Sequence, residues 1–406
     1  MENRTARAAR VGGGKNLKSA SGAAAKPSFT IDMNCLDNNN GICEKAKKVF
    51  DMASRILGNV LLLDEPLRVN ATIYDFCKWK QQCNTRNQLL GKASPARTML
   101  IKDSDGITRV YPQSLVKQMP SKTHPSYDKY DISAQFNANA SFWFDGDGPI
   151  KPSQSDFLFV AVHELIHGLG FTTSWSEYIN QEPTALTPNP LPETAVNDPS
   201  APFQFSGFFE NAFDRYLVEL PSLTPIPQIT DKLNHFDQGI GKVYKDQLDF
   251  MDALTRAPEY KLAQYMLNIS VTPGMLGFMP KGGKTQEDVI VLETSLSQGF
   301  VRASSISHVS YNLYTKSPDF LMRYLQDPGT LLKDDIAEGG NYVGGAVGPK
   351  LLTILETLGY KINKNPEHIA MEMNASSDAD ARRHPANHSL AAITLTALLA
   401  IAMGFS

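Results

Sequence analysis

The sequence predicts an α+β protein, because helical and strand patterns occur along the same chain. Residues 157–171 are apolar on nearly every side of a helix, which indicates a helix in the core. Residues 67–73 alternate between apolar and polar side chains, as a half-buried strand does. Near the C-terminus, residues 350–358 have the spacing of an amphipathic helix that Gly359 stops.

Composition limits the class of protein. With 406 residues and 42% hydrophobic content, the chain can bury a large core and form one large or two modest domains. A net charge of −3 provides no electrostatic footprint for nucleic acid, so we expect no such partner. The four cysteines allow three pairings. We expect the two local disulfides, Cys35–Cys43 and Cys77–Cys83, with free buried thiols as the alternative.

The segment before the core helix is predicted to contain both helix and strands. We expect a helix over residues 41–57, strand-like runs at 60–63 and 67–73, a turn at 102–106 and the edge of a strand pair at 133–144. The sequence Asp-Gly-Asp-Gly at 145–148 lacks the remaining ligands of an EF-type calcium loop, so we interpret it as a tight turn. Residues 152–156 offer N-cap side chains for the core helix.

After the core helix, residues 183–202 are proline-rich and are predicted to form a loop, whereas residues 242–267 have helical spacing. Residues 339–348 are rich in glycine but contain no G-x-G-x-x-G spacing. We therefore predict a loop there and no phosphate-binding site.

The core helix contains a constellation with specific chemistry, since His163, Glu164 and His167 form the pattern His-Glu-x-x-His. Residues four apart lie one above the other on a helix, so the two imidazoles can bind one cation such as zinc. Glu164 lies about 100° further round the helix, where a carboxylate can take a proton from a water molecule beside the metal. A buried helix with two hydrogen-bonded histidines is the alternative. Gly168 and Gly170 are both predicted to end the helix.

The same motif carries a family resemblance. His163-Glu164-x-x-His167-x-x-Gly170 resembles the zinc motif of the metzincin metalloproteases, in which a third histidine follows the glycine by three residues. Thr173 occupies that position here, so the compact form of the motif is absent. Leishmanolysin-like metzincins instead have a long insertion before the third histidine, and a methionine turn follows it. The sequences Ser-Ser-Ile-Ser-His at 304–308 and Pro-Asp-Phe-Leu-Met at 318–322 are similar to that arrangement.

The resemblance implies a metzincin-like zinc protease with an N-terminal mixed sheet above the cleft, an active-site helix and a long insertion before the third ligand. It implies that His308 binds Zn²⁺ together with the two motif histidines. His235 is an alternative third ligand, and so is Glu210 in a thermolysin-like arrangement. His368, His384 and His388 lie in or near the C-terminal tail and are set aside.

The resemblance also assigns roles to residues that do not bind the metal. Met322 would pack beneath the zinc ligands, and Glu164 would act as the general base in the hydrolysis of a protein or peptide substrate. Tyr324, two residues after the methionine, would either stabilise the oxyanion or serve as a structural tyrosine. We expect a zinc-dependent endopeptidase. The alternative is a non-catalytic cell-surface or adhesion protein on a metallopeptidase scaffold, and the intact Glu164 favours the enzyme.

The termini and the sequons point to the secretory pathway. Six Asn-x-Ser/Thr sequons favour a secreted glycoprotein. They are at Asn3, Asn70, Asn139, Asn268, Asn374 and Asn387.

No secretory signal is visible in the basic residues 1–27, which can also be read as an organellar transit peptide. Residues 390–406 are mostly apolar and have the layout of a GPI-attachment signal, with a short tail-anchored helix as the alternative. We expect a secreted or cell-surface protein, attached to the membrane surface by a C-terminal lipid anchor.

The predicted organisation therefore has six segments. They are a disordered basic leader (1–27), an N-terminal subdomain with the zinc-binding helix (28–175), the insertion (176–290), a C-terminal subdomain with the third ligand and the methionine turn (291–365), a polar linker (366–389) and the hydrophobic tail (390–406).

Overall fold

The computed structural model describes residues 28–81, 83, 88–120, 125–178, 183–190 and 202–369. Up to the end of the core helix, the described elements are β1 (Phe29–Cys35), α1 (Ile42–Val60), β2 (Leu67–Tyr74), α2 (Phe76–Lys80), β3 (Gly91–Pro95), β4 (Thr98–Lys102), β5 (Thr108–Pro112), α3 (Gln113–Val116), β6 (Ile132–Asn137), β7 (Phe142–Trp143), β8 (Ser155–Asp156) and α4 (Phe157–Gly168).

A four-stranded mixed sheet organises this part of the chain, with the strand order β1-β2-β6-β3. Strands β1, β2 and β6 are parallel, whereas β3 runs antiparallel to β6 at one edge. Aromatic rings join the sheet to two helices. Phe136 of β6 lies 5.3 Å from Phe50 of α1 and 5.2 Å from Phe157 of α4, measured between ring centroids. The core helix α4 is therefore packed against the sheet and against α1, whose Phe50 ring lies 5.7 Å from that of Phe157.

The local patterns in this region were only partly informative. The alternating run is strand β2, whose apolar residues are buried, so that prediction is confirmed. The predicted helix at 41–57 is α1, but it continues to Val60. The strand predicted at 60–63 is wrong, because Val60 ends the helix and Leu61 makes one isolated bridge with Ile362. Strands β6 and β7 lie in the segment 133–144, as predicted, but the edge position is wrong, because β6 lies inside the sheet between β2 and β3.

The remaining elements follow α4 in the sequence. They are β9 (Phe203–Gln204), β10 (Leu217–Glu219), β11 (Thr224–Pro225), α5 (Pro227–Leu233), β12 (Val243–Tyr244), α6 (Gln247–Arg256), α7 (Tyr260–Ser270), β13 (Leu276–Phe278), β14 (Ile290–Val291), α8 (Tyr311–Tyr314), α9 (Leu332–Glu338) and α10 (Pro349–Leu358), with 3₁₀ turns at Asn39–Gly41, Asp214–Tyr216, Phe236–Gln238, Gln286–Asp288 and Phe320–Met322. A second, antiparallel sheet has the order β11-β10-β13-β14. The described protein is thus of the α+β class, as predicted.

Several predictions for this region are confirmed. The helical spacing at 242–267 corresponds from Gln247 onward to two helices, α6 and α7, with Pro258 in the short connection between them, whereas Val243–Tyr244 form strand β12. Helix α10 ends at Gly359, whose φ of 128° is accessible to glycine and strained for other residues. The glycine-rich segment at 339–348 forms a loop. The Asp-Gly-Asp-Gly sequence is a turn in which Gly146 and Gly148 both have positive φ.

The cysteines form the two predicted disulfides, Cys35–Cys43 and Cys77–Cys83. No helix among the described residues combines the length and apolar character needed to cross a bilayer. The predicted leader, the C-terminal tail and most of the linker before it lie outside the described residues.

Candidate metal centre

The helix that carries the motif begins at Phe157, and Asp156 is its N-cap, within the predicted capping segment 152–156. One carboxylate oxygen of Asp156 accepts the N–H of Leu158 at 2.9 Å. The other accepts the N–H of Leu332, the first residue of α9, also at 2.9 Å. One buried carboxylate therefore satisfies the N-terminal amides of two helices and joins α4 to the C-terminal part of the chain.

The two glycines at the end of α4 have different roles, which corrects the prediction that both end the helix. Gly170 has a φ of 106° and turns the chain after the helix. Gly168 is still helical, and a Cβ atom there would lie 2.3 Å from Cγ2 of Ile132 in β6. The local sequence shows a glycine at both positions, but only the tertiary contact explains why Gly168 must be small.

Three buried histidine side chains from two distant parts of the sequence lie close together. The Nε2 atoms of His163, His167 and His308 are 3.2 Å apart in each of the three pairs. All three residues are buried. His308 comes from the loop before α8, so the structure places it beside the pair on α4, across 141 residues of sequence from His167.

The other ring nitrogen of each histidine faces a backbone oxygen. Nδ1 of His163 lies 2.8 Å from the oxygen of Leu321, Nδ1 of His167 lies 2.8 Å from that of Phe171, and Nδ1 of His308 lies 2.9 Å from that of Ser304. A carbonyl oxygen only accepts hydrogen bonds, so each Nδ1 must carry the proton. Every Nε2 is therefore left with a lone pair that points at the other two.

This arrangement fits a zinc ion. Three nitrogen lone pairs this close repel one another unless a cation lies between them. Nitrogens 3.2 Å apart form one face of a tetrahedron whose centre is about 2.0 Å from each, the usual zinc–imidazole distance. Burial lowers the pKa of His163 to about 3 and that of His167 to about 4, and it lowers the pKa of His308 well below its ordinary value. The rings are thus neutral imidazoles, the form that binds metal.

Glu164 lies against the edge strand β3. The backbone N–H of Ala93 hydrogen-bonds to its carboxylate, and a Cβ atom on Gly91 would be 3.2 Å from Cγ of Glu164. Glycine at position 91 therefore leaves room for the glutamate between helix and strand. Burial raises the pKa of Glu164 to about 8, against the opposing effect of the Ala93 hydrogen bond.

The two alternative third ligands are engaged elsewhere. The His235 side chain is 75% exposed, and its Nδ1 atom lies 2.7 Å from the backbone oxygen of Asp231. Glu210 is buried and accepts hydrogen bonds from Nε of Arg109 at 2.8 Å and from Oγ1 of Thr230 at 2.6 Å. Among the described residues, the three histidines are the group that can hold a metal ion.

The methionine turn lies directly beside the histidines. Met322 is fully buried in a 3₁₀ turn, and its backbone oxygen accepts the N–H of Val309, the residue after His308. The preceding residue, Leu321, supplies the carbonyl that orients His163. Tyr324 is partly exposed, and its ring centroid lies 5.6 Å from that of Tyr311.

Sequence reasoning missed the residue that holds the turn after α4. Asp214 is fully buried and accepts hydrogen bonds from Oγ1 of Thr173 at 2.6 Å and from the N–H and Oγ of Ser174 at 2.8 and 2.6 Å. It thereby fixes the segment whose Phe171 carbonyl orients His167. An acidic residue within the aromatic run at 208–216 was the available signal, because an acid in an apolar segment needs a buried partner.

Comparisons with known proteins give a family but no activity. "Uncharacterized protein PB7E8.01" of Schizosaccharomyces pombe is 28% identical over 351 residues, which are 80% of this chain and 60% of that protein. The chain thus spans about 60% of the length of this relative. No solved structure matches. The model of the SPBPB7E8-like family matches residues 4–378, almost the whole chain. The chain therefore belongs to the SPBPB7E8-like family.

Proposed function

We propose that this chain is a zinc-dependent endopeptidase of the leishmanolysin-like metzincin type. One observation carries the proposal. Three neutral imidazoles from two distant segments turn their Nε2 lone pairs toward one point, and each ring is held in place by a backbone carbonyl. A structural role for buried histidines would not require three unprotonated nitrogens to face one another.

The residues around that point divide the chemistry between them. His163, His167 and His308 would hold the ion, which leaves a fourth position open to water or substrate. Zinc bound there would acidify a water molecule and polarise a substrate carbonyl. The Glu164 carboxylate would accept the proton of the attacking water and pass it to the leaving amine.

The neighbouring strand favours a peptide as substrate. Strand β3 pairs with β6 alone among the described strands. On its other edge, the backbone groups that Glu164 does not bind can pair with a further strand. Ala93 of β3 also contacts the carboxylate of Glu164, the candidate general base, which supports this edge as the substrate site. We propose that an extended peptide lies along β3 with its scissile bond above the three histidines.

The order of the parts supports the metzincin type. The motif helix, the long insertion, the third histidine and the methionine turn occur in that order along the chain. The two disulfides and the exposed sequon residues Asn139 and Asn268 support a protein of the secretory pathway. We propose a position at the cell surface, with the C-terminal tail as the lipid-anchoring signal.

The proposal can be tested with the full-length protein and labelled casein. We expect hydrolysis that 1,10-phenanthroline abolishes and that added zinc restores, with unchanged activity in the surface control His235→Ala. Hydrolysis that persists after the metal has been removed would contradict the proposal. A folded, zinc-loaded protein that cleaves neither casein, gelatin nor a peptide library would favour the non-catalytic surface protein.

A further inference from the structure

Glu293 is a fully buried carboxylate behind the loop that carries His308. It lies just after β14, and its backbone pairs with that loop. The N–H of Glu293 donates to the oxygen of His308 at 2.8 Å, and the oxygen of Glu293 accepts the N–H of Ile306 at 2.9 Å. The N–H of Ser310 extends the pairing to the oxygen of Val291 at 3.0 Å. Residues 306–310 are thus attached along 291–293.

The Glu293 carboxylate binds both ends of a longer segment, residues 295–311, which contains His308. One carboxylate oxygen accepts the N–H and Oγ of Ser295, at 2.7 and 2.5 Å. The other accepts the N–H of Tyr311 at 2.8 Å, where α8 begins. None of these donors carries a positive charge. A buried carboxylate held only by neutral donors is costly to maintain, and hydrophobic packing would be a cheaper way to fill the same space.

The loop that Glu293 holds has a strained backbone. Ala303 and Ile306 have φ values of 65° and 66°. Positive φ is unfavourable for any residue with a Cβ atom, and most unfavourable for a β-branched one such as isoleucine. Such conformations persist only where the surrounding structure enforces them. The same loop supplies the Ser304 oxygen that orients His308.

We propose that Glu293 is a positioning residue for the third metal ligand. Its carboxylate keeps the strained loop in the one conformation in which Nε2 of His308 faces His163 and His167. This inference rests on the proposed zinc site. The carboxylate acts through the loop and does not touch the metal.

The test measures zinc affinity and fold stability separately, in the full-length protein. Glu293→Gln keeps the shape of the side chain but turns an N–H₂ group toward one of the donors. Asp131→Asn is the control, because Asp131 is also buried and its carboxylate accepts three hydrogen bonds, from the backbone N–H of Arg68, Nε2 of Gln113 and the ammonium group of Lys117. Zinc dissociation constants come from competition with a chromophoric chelator. The Tm of the zinc-free protein and the visible spectrum of the cobalt(II) form are also recorded.

We expect Glu293→Gln to weaken zinc binding about 10–100-fold and to change the cobalt spectrum. The control should lower the Tm and leave both metal readouts unchanged. Ser295→Ala removes one of the three hydrogen bonds to the Glu293 carboxylate, and it should weaken zinc binding by less than Glu293→Gln does. If Glu293→Gln does not fold, Ser295→Ala takes its place in the test. Equal zinc affinity in the wild type and in both Glu293→Gln and Ser295→Ala would overturn the inference. A wild type that binds zinc no better than His308→Ala would instead overturn the proposed function.

Discussion

Nδ1 of His163 donates a hydrogen bond to the backbone oxygen of Leu321, which is 2.8 Å away and 158 residues later in the sequence. This contact joins the motif helix to the turn that contains Met322. The Met322 oxygen in turn binds the residue after His308. The methionine turn therefore orients one candidate ligand directly and supports the loop of another through its backbone.

Removal of the third histidine should remove the metal. We expect His308→Ala to weaken zinc binding by more than the roughly 10–100-fold that loss of an outer hydrogen bond costs. The exposed His235 has no contact with the other rings, so His235→Ala should bind zinc like the wild type. Zinc content after dialysis against a weak chelator provides the measurement. The reverse pattern would assign the third ligand to His235.

Loss of the candidate base should separate metal binding from catalysis. Glu164→Gln preserves the shape of the side chain beside β3 but removes its capacity to accept a proton. We expect a normal zinc content and a fall in kcat of at least about 10²–10⁴-fold, the range typical of general bases. Steady-state cleavage of a fluorogenic peptide measures kcat. Near-normal turnover by a folded, zinc-loaded variant would exclude this role.

The close contact at the end of α4 should be sensitive to a single methyl group. A Cβ on Gly168 would lie 2.3 Å from Ile132, so Gly168→Ala should lower the free energy of unfolding by about 1–3 kcal/mol. Gly58 in α1 is the control, because a Cβ there meets only the Ser28 side chain, at 3.2 Å. Urea unfolding measures both, and Ile132→Ala should partly rescue Gly168→Ala. Equal stability of the two glycine variants would disprove this packing argument.

Asp156 should make stability depend on pH. Burial raises its pKa from 3.8 to about 6, although the amides of Leu332 and Leu158 oppose the shift. The folded state then binds the proton more tightly than the unfolded chain does. The resulting stabilisation is complete below pH 3.8 and is lost as the pH rises through 6, a change of about 2–3 kcal/mol.

Asp156→Asn cannot titrate, so its free energy of unfolding should lack this decline between pH 4 and 6.5. Its amide also turns a donor toward one backbone N–H, which should lower the stability at every pH by about 1–3 kcal/mol. Urea titrations of both proteins at several pH values test the difference. Parallel curves for the wild type and the variant would contradict the raised pKa.

Local sequence predicted the features that depend on neighbouring residues of one helix or strand. The four-residue spacing of His163 and His167 follows from helix geometry, and the alternation in β2 follows from a sheet with two unlike faces. It failed at residues 60–63, because a short apolar run has the same composition where a helix ends as in a strand: Val60 is the last residue of α1, and Leu62 after it is exposed. Short runs of this kind are decided by tertiary contacts.

The parts that escaped prediction are those that depend on the folded chain. The acceptors of the three Nδ1 atoms are backbone carbonyls, which any residue can supply, so no side chain identifies them. Gly168 is explained only by its contact with Ile132. No spacing rule connects a loop to a helix across 141 residues, so His308 was expected from the family resemblance and not from a local pattern.

Anomalous diffraction on either side of the zinc absorption edge, from crystals of the full-length protein grown with zinc, tests the central claim most directly. We predict one strong peak at bonding distance from the Nε2 atoms of His163, His167 and His308. A peak at other residues, or the absence of zinc from this point in a protein whose three rings remain in place, would contradict the account.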